Sequence, residues 1–118
     1  MREPVRDKGR LEHILKAIDN VFEYTKGMDY DGMVNNKILC HAVIYNIQII
    51  GEAAFKLTKE FRDAHPEVEW RDIITMRHVL VHDYYVVDIR LLWNVIGEDL
   101  PAFRSQIETF IKEIDCDF

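Results

Sequence analysis

Arg77, His82 and Tyr84 gather the richest polar chemistry of the sequence into one short stretch, directly after an apolar helical pattern. Arginine is a permanent positive fork that matches phosphate oxygens, and histidine carries or releases a proton near neutral pH. These are the parts that metal-free RNA cleavage needs: a base for the 2'-hydroxyl proton, an acid for the leaving oxygen, and a cation for the charge on the phosphorane-like transition state. Tyr84 adds a hydroxyl that can touch a nucleotide or receive a modification, although surface packing is the ordinary role of such a tyrosine. The pair has an ordinary reading too, in which Arg77 pairs with a helix carboxylate such as Glu52 and His82 caps the last carbonyls of a helix. His78 and His82 stand four apart, a helical metal-ligand spacing, but no Glu is placed as in H-E-x-x-H and no metal site is expected. His13, His41 and His65 are isolated and read as surface or cap histidines.

The elements around this stretch must solve a geometric problem. An ideal helix advances ~100° per residue, so Arg77 and His82 would face different sides of a continuous one. Either the helix ends near Leu80 or Val81 and the chain turns back, or a second copy of the chain supplies the missing partner.

Apolar residues at Leu11, Ile14, Leu15, Ile18, Val21 and Phe22 predict a first amphipathic helix that stops at Gly27. Residues Met28 to Gly32 read as a loop with side chains able to cap the next helix. A second, longest helix is expected from Val34 to Ala64, ended by Pro66, with a core stripe through Leu39, Val43, Asn46, Ile50, Ala53, Leu57 and Phe61. Ile44, Ile47, Gly51 and Ala54 widen that stripe beyond half the circumference. The helix then sits either at the centre of its own bundle or against a second subunit, with Gly51 and Ala54 permitting close approach.

A third helix starts near Trp70 and carries Arg77 towards its end. Asp88 is a good N-cap for a fourth, and the chain should restart at Gly97-Glu98-Asp99, with Pro101 in the first turn of a fifth. No segment alternates long enough to predict a strand. The class is all-α, an up-and-down bundle of about five helices.

At 118 residues and 48% hydrophobic composition the chain reads as one domain, residues 1–118, able to bury a single core. Cys40 and Cys116 lack metal-ligand spacing and no apolar leader opens the sequence, which predicts a reduced, cytoplasmic protein. The densest apolar run, Ala42 to Ile50, is interrupted by Asn46 and Gln48, so no membrane span is expected. A net charge of -6 disfavours indiscriminate nucleic-acid binding and confines any such contact to a local cationic site.

Arg77-x4-His82-x-Tyr84 resembles the R-x4-H-x-Y signature of the HepT-like RNase toxins, a branch of the HEPN superfamily. The resemblance runs from about Leu11 to Ile114, through Ile50-Gly51-Glu52-Ala53-Ala54, Pro66 before Trp70-Arg71-Asp72-Ile73, His82-Asp83-Tyr84, and Asp99-Leu100-Pro101. It implies a helical bundle that forms a homodimer and an endoribonuclease that works through Arg77 and His82 with no metal or cofactor. It also implies an MNT-type nucleotidyltransferase antitoxin that adds AMP to the motif tyrosine, here Tyr84. The residue after the arginine, commonly Asn or another small polar residue in that family, is His78 here, a departure that either supplies an extra proton-transfer group or interferes with the usual geometry; Glu52 is the other candidate accessory residue. The rival expectation is a catalytically silent HEPN-type module that holds a nucleotide for a nucleotidyltransferase.

Overall fold

The computed structural model describes residues 2–82 and 86–116. The described residues are all-α apart from one short antiparallel strand pair. They open with α1 (Arg2–Thr25), whose Leu11, Ile14, Ile18 and Val21 are fully buried, the face expected from their spacing. Gly27 ends it with a φ of 74°, a backbone conformation that glycine adopts without strain.

Where a loop was expected at 28–32, a short helix α2 (Tyr30–Val34) begins, with the Asp29 carboxylate accepting from the Gly32 amide at 2.7 Å. The capping residue type was legible; the five-residue helix it starts was too short to leave a period. Asn36 caps α3 (Lys37–Phe55) in the same way, accepting from the Leu39 amide at 3.0 Å.

The expected helix over 34–64 is two helices, α3 and α4 (Lys59–Ala64), with the break at Lys56 to Thr58. The cause is tertiary. Asp7, buried on α1, accepts from the Thr58 amide at 2.9 Å and from its hydroxyl at 2.7 Å, while Thr58 Oγ1 caps α4 by accepting from the Phe61 amide at 3.1 Å. A partner 51 residues away diverts the chain, and no local periodicity announces it.

α3 contradicts the expectation that no segment approaches a membrane span. It has 19 residues and a mean hydropathy of 1.4, enough by length and composition. Its Val43, Ile47, Ile50 and Ala54 are fully buried within this chain, and Asn46 bonds Asn20 of α1 at 3.1 Å, so the apolar content serves the core. α3 packs on α1 along one side and on α5 (Trp70–Leu80) along the other.

α5 ends at Leu80, and the chain continues as β1 (Val81–His82), paired antiparallel with β2 (Val86–Val87). This hairpin corrects the strand-free expectation, and two-residue strands are too short for alternation to be seen. Asp88 caps α6 (Ile89–Asn94) as expected, accepting from the Leu91 amide at 3.1 Å. The restart expected at Gly97 to Asp99 does not occur. The helix instead widens into a π-turn, Val95–Asp99, and runs on as α7 (Leu100–Cys116). Pro101 explains the widening: it has no N–H to donate and its ring crowds the preceding turn, so the wider turn carries the helix past it.

Gly51 and Ala54, both buried, face the chain's own core rather than a second subunit. A Cβ at Gly51 would stand 2.9 Å from the backbone oxygen of Ile74 on α5. Gly51→Ala gains about 1 kcal/mol of helix propensity, yet overpacking against rigid backbone costs about 1–3 kcal/mol. We expect a net loss of stability, read as a lower urea midpoint; a raised midpoint would show that the two helices separate at little cost.

Candidate active site

The approach of α5 to α3 at Gly51 makes an open groove of about 510 Å³. Gln48, Glu52, Phe55 and Lys56 line it from the α3 side, and Ile74, Arg77 and His78 from α5. Gln48, Glu52 and Phe55 recur at helical spacing along one edge of α3, and Lys56 follows as its C-cap.

Arg77 is half-buried in the last turn of α5. Its Nε is shielded from solvent and has no hydrogen-bond partner, and among the described residues Arg77 makes no ion pair. The pairing with Glu52 allowed by the sequence is not formed. Glu52 instead accepts from Gln48 Nε2 at 3.3 Å. An arginine held at a groove wall without a carboxylate is available for an anion, and phosphate matches its planar fork.

His78 shares this groove with Arg77 and Glu52, so three of the residues singled out in the sequence come together. His82 does not line it. It is exposed on β1, opposite Val86, where the chain has left the helix. Nor does it cap α5: the Val81 amide bonds the Arg77 carbonyl and the Asp88 amide bonds the Leu80 carbonyl at 2.8 Å. Because α5 ends at Leu80, His78 and His82 share no helical face, and the spacing that suggests a two-histidine metal site has no helix to act through. Tyr84 lies outside the described residues.

Phe55 and Lys56 were not foreseen as part of a site. Phe55 continues the helical spacing of Gln48 and Glu52, and Lys56, whose amide bonds the Glu52 carbonyl at 3.1 Å, keeps that geometry as the C-cap. The only local signal was the recurrence of exposed polar positions along one side of α3, at Gln48 and Glu52.

The molecule is an all-α bundle with an open groove at a helix end, lined by an arginine that has no ion-pair partner among the described residues. The sequence profile of the family described as Ribonuclease HepT-like matches residues 14–110. The chain belongs to the HepT-like ribonuclease family of the HEPN superfamily.

A relative from Methanocaldococcus jannaschii, named "Putative RNase", is 38% identical over 86% of this chain and 93% of its own length. One from Caldanaerobacter subterraneus subsp. tengcongensis, carrying the same designation, is 35% identical over 87% of this chain and 92% of its own. A "Probable ribonuclease HepT" of Thermococcus cleftensis is 36% identical over 89% of this chain and 96% of its own. No solved structure matches at comparable significance.

The orphaned Nε gives a test of what Arg77 is for. Replacing a buried unsatisfied polar group by an apolar one of similar shape is close to neutral. Arg77→Met should keep the thermal stability within about 0.5 kcal/mol of wild type, as for a residue with no fold-holding contact. A loss of about 2 kcal/mol or more would assign the arginine to the fold.

Proposed function

We propose that this protein is the toxin of a toxin–antitoxin pair, a cytoplasmic endoribonuclease that cuts RNA without a metal ion. The observation that carries the reading is Arg77: an arginine without a carboxylate partner, on the wall of an open groove, with the chain turning out of the helix three residues later towards His82. The family, and the ribonuclease names of the relatives, support the same substrate class.

In this reading Arg77 binds the scissile phosphate and stabilises the charge that grows on it, and His82 moves a proton as general base or acid. Attack by the 2'-hydroxyl forms the new P–O bond and expels the 5'-oxygen, leaving a 2',3'-cyclic phosphate. The two proton transfers need groups on opposite sides of the phosphate, and each chain carries a single motif histidine. We therefore place the working site in a homodimer, where a two-fold axis brings two Arg77 and two His82 side chains to one cleft. Ile38 is 83% exposed and Tyr45 65% exposed on the outer face of α3, apolar surface that supports an isologous contact along that helix. The groove runs along the C-terminal half of α3, and its first exposed lining residue there, Gln48, stands roughly 5 Å beyond Tyr45 by helical rise.

Tyr84 is the acceptor for AMP from an MNT-type nucleotidyltransferase antitoxin. The added phosphate would compete with RNA for Arg77 through charge and bulk. One observation favours a second reading, a silent nucleotide-holding subunit: within one chain His82 is absent from the groove lining. The following measurements separate the two.

Purified protein should cleave RNA in excess EDTA, and His82→Ala should lose ~10²- to 10⁴-fold in rate with its helical circular dichroism unchanged. Dimers of one wild-type and one His82→Ala chain should run well below half the wild-type rate, since a shared cleft then lacks its acid or its base. Half the rate would mean two independent sites, with His78 the second proton-transfer group. No cleavage by the wild type, with nucleotide binding retained, would favour the silent subunit.

Co-expression with the cognate antitoxin should place AMP on the peptide containing Tyr84, read by mass spectrometry and resolved from Tyr85 by fragmentation. AMP on Tyr85, with Tyr84 unmodified, would overturn that assignment.

A further inference from the structure

The Arg77 groove is not isolated. A second, smaller hollow of about 110 Å³ lies between α1 and α3, lined by Arg10, His13, Ile49, Glu52, Ala53 and Lys56. Glu52 and Lys56 line both spaces, so one i,i+4 ridge of α3 separates them. Arg10 and His13, three apart on α1, approach from the far side of that ridge.

The second hollow shares with the first an arginine of this kind; Arg62, which lines neither space, has a similarly shielded Nε. Arg10 Nε is shielded from solvent without a hydrogen-bond partner, and among the described residues neither Arg10 nor Lys56 makes an ion pair. Glu52 is the single carboxylate on the lining, against two permanent cations and a histidine.

The opposite side of α5 has the contrary sign. A groove there of about 470 Å³ is lined by Glu67, Glu69, Asp72, Glu98 and Asp99 and by no Lys, Arg or His. For a chain of net charge -6, polyanion affinity has to come from a local concentration of cations. A nucleic-acid backbone seated on Arg77 meets repulsion on one side of α5 and the Lys56, Arg10 and His13 group on the other.

We infer that Arg10, His13 and Lys56 form a second phosphate site, which takes a backbone phosphate of single-stranded RNA flanking the one held by Arg77. The inference rests on the nuclease reading and adds to it a direction: the RNA crosses α3 at the Glu52–Lys56 ridge and runs towards α1. These residues position the strand and do no chemistry. A substrate with only the scissile phosphate does not feel Arg10 or His13, which line the second hollow alone.

The test compares two substrates: a dinucleoside monophosphate, which has one phosphodiester, and a single-stranded oligonucleotide of roughly ten nucleotides. The enzymes are the wild type, Arg10→Gln/His13→Gln, and the charge-keeping Arg10→Lys, each checked by circular dichroism; Lys56, which also lines the Arg77 groove, is left in place.

The neutral double variant should lose about tenfold or more in kcat/KM on the oligonucleotide, chiefly through KM, while the dinucleoside rate stays within about twofold. The charge-keeping variant should recover most of the loss. In the non-cleaving His82→Ala background, the slope of log affinity against log salt for the oligonucleotide should fall by about 1 in the neutral variant.

Equal losses on both substrates would put Arg10 and His13 at the scissile phosphate or in the fold, and an unchanged oligonucleotide rate would empty the second site; either result overturns the inference. A wild type that cleaves neither substrate defeats the nuclease reading itself, and the inference falls with it. That outcome is read before any variant is compared.

Discussion

The approach of α5 to α3 at Gly51 is the constraint on which the groove depends. A hydrogen at that position, in place of a methyl, lets the Ile73 and Ile74 carbonyls lie against the α3 backbone. The last turn of α5 then overhangs the C-terminal half of α3, and Arg77 and His78 face Gln48, Glu52 and Phe55 across a space open to solvent. The same packing shields Arg77 Nε. A guanidinium in that setting would ordinarily be stabilised by a carboxylate. Leaving it without one keeps its charge available to an incoming anion, at a cost in stability that is characteristic of binding sites.

A second constraint acts from further away. The Asp7 carboxylate accepts both the amide and the hydroxyl of Thr58, which starts α4 and thereby stops α3 at Phe55. Had α3 run on towards Ala64, Lys56 would be one more position on a continuous helix. As the C-cap it is the last position with helical geometry, and it sits where the Arg77 groove and the hollow beside Arg10 adjoin. Asp7 and Arg10 are three apart on α1, so the residue that ends α3 and the cation that faces its end share one stretch of helix.

What could be read from the sequence follows from how local each cause is. The buried face of α1, the end of α5 near Leu80 and the Asp88 cap of α6 rest on neighbours within a few residues, and all were legible. The division of the long helix rests on Asp7 and Thr58, and α2 is a single short turn capped by Asp29; neither leaves a period to detect. Pro101 was recognised as tolerable early in a helix. That rule does not say whether the chain restarts or widens, and the π-turn at Val95–Asp99 is the second solution. Within the site, the fold brings Arg77 together with His78 and Glu52 in one groove and leaves His82 outside it. Phe55 and Lys56 follow Glu52 on the same helical spacing, a signal that points to them only once Glu52 is placed in the groove.

The hairpin after α5 connects fold and chemistry most directly. Helical geometry would hold Arg77 and His82 on different faces, and ending the helix at Leu80 removes that restriction without bringing His82 into the groove of its own chain. The Leu80 carbonyl is taken by the Asp88 amide and Val81 pairs with Val87, so the base of the excursion is fastened to the bundle at both strands while His82 points to solvent. A histidine spent on the fold would be capping carbonyls or filling space, and His82 does neither. Its placement on a fastened, outward-facing strand suits a group that acts on something brought to it, which is the arrangement that a cleft completed by a second chain requires.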